Sequence, residues 1–232
     1  MTWNIHGGIG TDGAFNMPRV LGRIRRHAPD ILAVQEVESR GRSLDHCGFA
    51  LLRDHLPGHS TPAETIRAHD GAYGHMLLSR WPIEESHLHD LSHPGREPRI
   101  AIEAVIATPE GALRVVATHL GLRRRERQYQ AARLAALVTR LKGPLVVLGD
   151  FNEWSWRGPV WRALSAQMPA RTQHRTFPSR FPALKLDRIF CRPASLMGKN
   201  WRDPAGVIAS DHLPIMAELH MPCTIMEEAG AP

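Results

Sequence analysis

Residues 124–153 read RRERQYQAARLAALVTRLKGPLVVLGDFNE, and the character of the chain changes three times along them. Leu134, Leu137, Val138 and Leu141 recur at helical spacing, which predicts a helix over Arg124–Leu141. Gly143-Pro144 ends it, because glycine accepts the left-handed turn after a helix and proline cannot continue one. Leu145-Val146-Val147-Leu148 then reads as a buried strand. At its far end the chain turns polar at Asp150 and Asn152, where a loop can present side chains from a rigid support.

The same rhythm extends in both directions. Strands are expected at Thr2–Ile5, Asp30–Gln35, Gly74–Ser79, Ile100–Ile106, Leu113–Thr118, Leu186–Cys191 and Pro214–Leu219. A second helix is expected over Pro18–Ala28, with Pro at its start and Val20, Leu21 and Ile24 on one face. Strands outnumber helices, and several follow one another directly. That argues for two packed sheets flanked by helices rather than one parallel sheet. No repeat or linker divides the chain, so residues 1–221 are expected to form one domain and 222–232 a loose tail.

Composition narrows the class. Apolar residues make up 43% and charged residues 22% of 232, as in an ordinary globular enzyme able to bury a full core. No run approaches the roughly 18 apolar residues of a membrane span. The start shows no basic segment followed by an apolar one, so a cytoplasmic location is expected, and a monomer. Cys47, Cys191 and Cys223 lack zinc-knuckle spacing and fit no disulfide framework. The net charge is +6, and Lys142, Lys185 and Lys199 are the only lysines. Such arginine bias permits a polyanionic partner, but codon usage produces it equally well.

A capable polar residue stands at the end of one strand after another. Asn4 closes the first strand, Glu36 follows Ile31–Gln35, and His119 follows Val115–Thr118. Asp150 and Asn152 follow Leu145–Gly149, Asp187 opens a strand, and Asp211-His212 precedes Leu213-Pro214-Ile215. Alone, each would be a turn former or a helix cap. Together they include four carboxylates, Glu36, Asp150, Asp187 and Asp211, which would repel one another in a shared cleft. A hard cation, Mg²⁺ or Mn²⁺, resolves that repulsion with oxygen ligands, whereas zinc would ask for more His and Cys. A carboxylate can then activate water, while Asn and His donate to the charge growing on a phosphoryl group.

The segments TWNIHGG, LAVQEV, ATHL, VLGDFNE, KLDRIF and SDHLPI stand in order between residues 2 and 219. The chain resembles the endonuclease/exonuclease/phosphatase superfamily, whose members include deoxyribonucleases, abasic-site endonucleases, sphingomyelinases and inositol polyphosphate phosphatases. The resemblance implies a four-layer α/β/β/α sandwich, an α/β (α+β) fold of two mixed sheets with helices outside. It implies Glu36 as principal metal ligand, with Asn4 beside it and Asp211 near the metal. It further implies Asp150 as the group that orients and deprotonates water, Asn152 on a phosphoryl oxygen, and His212 facing the scissile phosphate, oriented by Asp187. His119 would be a second phosphate-facing histidine, and Arg99 an accessory substrate contact, with Glu97 the alternative.

Other patterns compete with this reading. Gly8–Gly13 spells G-x-G-x-x-G, but Asn16-Met17-Pro18 puts the helix start too late for a dinucleotide site. His87, His89 and His93 look like a metal cluster, yet alternation along an edge strand explains them. Arg123–Arg127 could meet a polyanion or simply be a solvated helix start, and Trp154, Trp156 and Trp161 could form a substrate lip or pack under a loop. Abasic-site endonucleases carry a lysine two places after the metal glutamate, where this chain has Glu38. With little room for DNA-wrapping insertions, three readings follow. The first is a phosphodiesterase for a small-molecule or lipid-head-group ester. Behind it come a nuclease, with nucleic acid possible but not favoured, and a non-catalytic binding module.

Overall fold

The structure, a computed structural model, describes residues 1–56, 58–155 and 157–221. The expected tail over 222–232, together with Trp156 and Cys223, lies outside the described residues.

Near the N-terminus, β1 (Thr2–Asn4), α1 (Met17–His27) and β2 (Ile31–Glu38) form a crossover unit in which β1 and β2 pair in parallel. Helix α1 begins where the Asn16 side chain accepts the Arg19 N–H at 3.1 Å, leaving one fewer orphan donor in its first turn. Then follow α2 (Gly48–His55), β3 (His59–Ala68), β4 (Gly71–Ser79) and β5 (Ile83–Asp90). A second crossover joins β7 (Gly111–His119) through α3 (Arg124–Arg140) to β8 (Leu145–Asp150), after β6 (Ile100–Thr108). The chain continues through α4 (Pro159–Leu164), β9 (Ala170–Arg171), β10 (Asp187–Arg192), β11 (Met197–Arg202) and β12 (Ile215–Leu219).

The strands form two sheets of six, in the orders β11-β12-β1-β2-β4-β3 and β5-β6-β7-β8-β10-β9. Each sheet carries a parallel pair at its centre with antiparallel strands to either side. Three apolar layers hold the sandwich together. Val20, Ile24, Phe49 and Leu52 of α1 and α2 pack with Trp3, Leu32 and Val34 on the outer face of the first sheet. Ala33, Leu77, Ile102, Val115, Val146, Leu148 and Ile189 fill the space between the sheets. Leu134, Leu137 and Val138 of α3 cover Val116, Val147 and Phe190 on the outer face of the second. Each fully buried Leu, Val or Ile contributes on the order of 1.5–3 kcal/mol, so the layering rests on many such side chains. The expected two-sheet, helix-flanked architecture is the observed one.

The eight expected strands and two expected helices are present, with ends shifted by at most three residues. Helices α2 and α4 and strands β3, β9 and β11 were not anticipated. Strands β3, β9 and β11 are all sheet edges, where one side of the ladder is open and the apolar signal is weak. Pro62 within β3 is tolerated for the same reason.

Candidate active site

Strand direction explains why residues far apart in sequence meet. Parallel pairing puts Asn4 opposite Gln35 and His119 opposite Asp150, so four strands finish at one edge of the sandwich. Antiparallel pairing of β8 with β10 places Asp187 opposite Asp150 at that same edge. The Asp211-His212 segment arrives there because Trp3 Nε1–H donates to the His212 carbonyl at 2.9 Å and Ser210 Oγ–H to the Asn4 carbonyl at 2.7 Å.

Asp150 is the hub. Its Oδ2 accepts from Asn4 Nδ2 at 3.1 Å and lies 3.6 Å from His119 Nε2 and 3.9 Å from His212 Nε2. Its Oδ1 accepts the Asn152 backbone N–H at 2.8 Å. Burial and the neighbouring Asp187 push its carboxyl up to about 6, while His212, the Asn152 N–H and Asn4 pull the other way.

His212 Nδ1 hydrogen-bonds Asp187 Oδ2 at 2.9 Å. Burial opposes its charge, but Asp187 and then Asp150 outweigh burial and raise the imidazole to about 10. These two carboxylates favour the charged imidazolium, and Nε2 lies 3.9 Å from Asp150 Oδ2. Asp150, Asp187 and His212 offer atoms within 4.8 Å of one another, a spacing that also suits a metal. The same trio forms a hydrogen-bonded His212–Asp187 pair beside the Asp150 carboxylate.

Glu36 completes the acidic edge. Asn4 Oδ1 accepts the His6 N–H at 3.0 Å, which turns Nδ2 toward Glu36 Oε1 at 2.8 Å as well as toward Asp150. Glu36 sits in a bulge of β2, between Val34 and Val37, at φ 55°. Asn152 occupies the same left-handed region at φ 50°. For a residue other than glycine that conformation costs roughly 1–2 kcal/mol, and such strain gathers at functional sites. Asp211 is more open, with Oδ1 3.8 Å from His6 Nδ1. The expected metal ligands Glu36 and Asp211 thus lie on the same side of the site, Glu36 through Asn4 and Asp211 through the turn held to the Asn4 carbonyl.

His119 lies 3.9 Å from Glu36 Oε1 and 3.3 Å from Asn152 Nδ2, which also donates to the Leu120 carbonyl at 2.9 Å. Burial, followed by Arg99, His75 and His212, holds its pKa well below the ordinary value, so its ring is neutral. Arg99 is buried and paired with Glu97, and its Nε has no partner among the described residues. Both accessory candidates thus occupy one place.

Several neighbours went unread in the sequence. His75 is fully buried and held down to about 3 by desolvation and Arg99. Tyr73, two residues earlier on β4, feels both Glu36 and Arg99. Phe177 lies 4.8 Å from the His212 ring, and the Ser179 N–H donates to the Asp211 carbonyl at 2.7 Å. Tyr73 and His75 share a strand face two residues apart, a signal that lacked any motif to mark it.

The competing patterns dissolve. Gly8–Gly13 precedes α1 without entering it. His89 pairs with Glu103 at 2.7 Å on edge strand β5, while His93 contacts Tyr129 elsewhere. Arg127 is buried, 3.7 Å from Glu153. Trp154 is 58% exposed, and Trp161 stacks under Arg171. A cleft of about 520 Å³ beside Asp30, Trp81 and Trp201 contains none of the residues above.

Comparison with known proteins follows the same lines. The model of the Endonuclease/Exonuclease/phosphatase family matches residues 1–212. The protein YbhP of Escherichia coli K12 is 31% identical over 250 aligned positions, covering 95% of each chain. The Bacteroides vulgatus endonuclease/exonuclease/phosphatase is 20% identical with a TM-score of 0.75, over 95% of this chain and 97% of that one. The mannosyl-6-phosphatase Bt3783 of Bacteroides thetaiotaomicron is 18% identical with a TM-score of 0.71, over 95% and 98%.

Proposed function

The chain belongs to the endonuclease/exonuclease/phosphatase family, whose members are hydrolases of phosphoesters, and from that premise we propose that it cleaves a phosphodiester by in-line attack of water. One observation carries the reading: the buried carboxylate of Asp150 faces the hydrogen-bonded His212–Asp187 pair.

Asp150 orients the attacking water and takes its proton. The imidazolium of His212 donates from Nε2 to a phosphoryl oxygen, and Asp187 keeps it charged and in register. Asn152 donates its amide to a second oxygen. Neutral His119 adds a hydrogen bond without adding charge, and Arg99 lies behind it as a substrate contact. Donors fixed before the reaction begins need no reorganisation as charge builds on the phosphoryl group. A divalent cation, Mg²⁺ or Mn²⁺, held by Glu36 with Asp211 and Asn4 beside it, supplies polarisation of the phosphoryl oxygens when bound. The substrate in this reading is a small-molecule or lipid-head-group ester, and the enzyme a monomeric cytoplasmic one formed by residues 1–221.

The test is one panel. Purified protein with Mg²⁺ or Mn²⁺ is given a generic phosphodiester, a matched monoester, phospholipids, sphingomyelin, RNA and duplex DNA. Metal-dependent turnover of diesters supports the proposal. Turnover confined to monoesters, or to nucleic acid, replaces its substrate, and no turnover at all removes it.

A further inference from the structure

Beyond the acidic edge, on the outer face of β10, the chain builds the opposite charge. Asp187 points between the sheets with Ile189, so alternation sends the next residue, Arg188, outward with Phe190. Arg188 is only 7% exposed. No hydrogen bond or ion pair reaches its guanidinium among the described residues. Glu153 is the acid facing it, yet that carboxylate already accepts the Ser155 and Val160 N–H groups at 3.1 and 3.2 Å and lies 3.7 Å from Arg127.

Four further cations line the same cleft of about 390 Å³: Arg157, Arg171, Arg175 and Lys185. Arg171 stands over the Trp161 ring at 5.4 Å, and its buried Nε has no partner among the described residues. Among the described residues, the hydrogen bond of Lys185 goes to the neutral Gln173 Oε1, at 3.1 Å. The cations feel one another. Arg188 is lowered to about 10 by burial and then by Arg171, while burial and then Arg188, Arg175 and Arg171 lower Lys185. A buried guanidinium without an anion is costly, and repelling neighbours raise that cost. Arginine forks beside a neutral tryptophan wall match a tetrahedral oxyanion.

We propose that this cleft is a phosphate-binding subsite, taking a phosphate group other than the one that is cut. The phosphate comes either from the substrate itself, as a second group on a multiply phosphorylated ester, or from solution. The first source rests on the phosphohydrolase reading above. Continuity of sequence favours it: Arg188 follows Asp187, and Glu153 at the cleft follows Asn152.

Pyrophosphate in EDTA is the probe, because without a cation the carboxylates of the acidic edge repel it. Calorimetry on the wild type should give saturable binding that weakens at least about fivefold in Arg175→Gln/Lys185→Gln, a variant at accessible positions, and further in Arg188→Gln. Equal binding by wild type and both variants overturns the proposal. A kinetic arm then compares a nitrophenyl phosphodiester with the same ester carrying a second phosphate on its alcohol arm. A several-fold lower KM for the second ester, lost in Arg175→Gln/Lys185→Gln while turnover of the first stays within about twofold, assigns the phosphate to substrate. Cleft-dependent binding without that KM difference assigns it to the free ion. Cleft-dependent binding with neither ester hydrolysed supports the subsite and removes the phosphodiesterase reading.

Discussion

His119 and His212 approach the same carboxylate oxygen, at 3.6 and 3.9 Å, and are almost equally hidden from water, yet their protonation is driven in opposite directions. Burial pushes both toward the neutral form. The difference lies in the second neighbour. His212 has Asp187 at 2.9 Å, whereas His119 has Arg99 and His75. One side of the site therefore favours a cation and the other a neutral polar group. Depth alone does not assign a histidine its role; the charge behind it does.

The comparison can be broken in stages. Exhaustive chelation should have the largest effect, reducing hydrolysis to background and restoring it on adding Mg²⁺ or Mn²⁺, because uncompensated carboxylates repel an anionic substrate. Full turnover in the chelated protein would remove the cation from the scheme.

Next in size, Asp150→Asn and His212→Ala should each lower kcat by about 10²-fold or more, with circular dichroism unchanged. Near-normal turnover in either would move the chemistry elsewhere.

Asp187→Asn attacks the asymmetry itself. Wild-type rate should climb as Asp150 ionises near about 6, and fall as His212 deprotonates near about 10. Positive charge held at Glu36 moves the acidic limb lower. In Asp187→Asn the alkaline limb should shift down toward the ordinary histidine value of 6.5, with kcat reduced roughly tenfold. The sign for stability follows from the raised pKa: the charged His212 contributes fully below 6.5, and its contribution fades as pH rises through about 10. The Tm deficit of Asp187→Asn should accordingly be larger at pH 6 than near pH 10. An unmoved alkaline limb would mean that Asp187 does not hold that proton.

The smallest effect is expected from His87→Gln/His89→Gln, which should leave activity within a few-fold of wild type. These residues lie on an edge strand, and His89 already has Glu103. A collapse accompanied by loss of bound metal would expose a ligand set outside the acidic edge.

What could be read beforehand followed the physics of burial. Central strands such as Leu145–Leu148 announce themselves because both faces are covered and every side chain is apolar. Edge strands β3, β9 and β11 have an open side and no such signature, and α4 is too short to show a period. Among site residues, the legible ones end strands and sit in motif words. Tyr73 and His75 lie within a strand, and only the packing of β4 against the second sheet brings them near Arg99. The unpaired state of Arg188 was equally invisible, since no sequence pattern says which arginines lack an acid.

The bulge at Glu36 has an arithmetical consequence. Leu32 and Val34 face the helices, while Ala33 faces the other sheet, so even numbers point outward and odd numbers inward. Strict alternation would send Glu36 out beneath α1 and α2, and Val37 into the gap between the sheets. Instead β2 spends three steps from Val34 to Val37 where β4 spends two, from Met76 to Gly74. The parity flips. Val37 rejoins the apolar layer under the helices, and Glu36 turns to meet Asn4. One uncounted residue lets a single strand serve a dry interior and an acidic rim, with neither side chain on the wrong side.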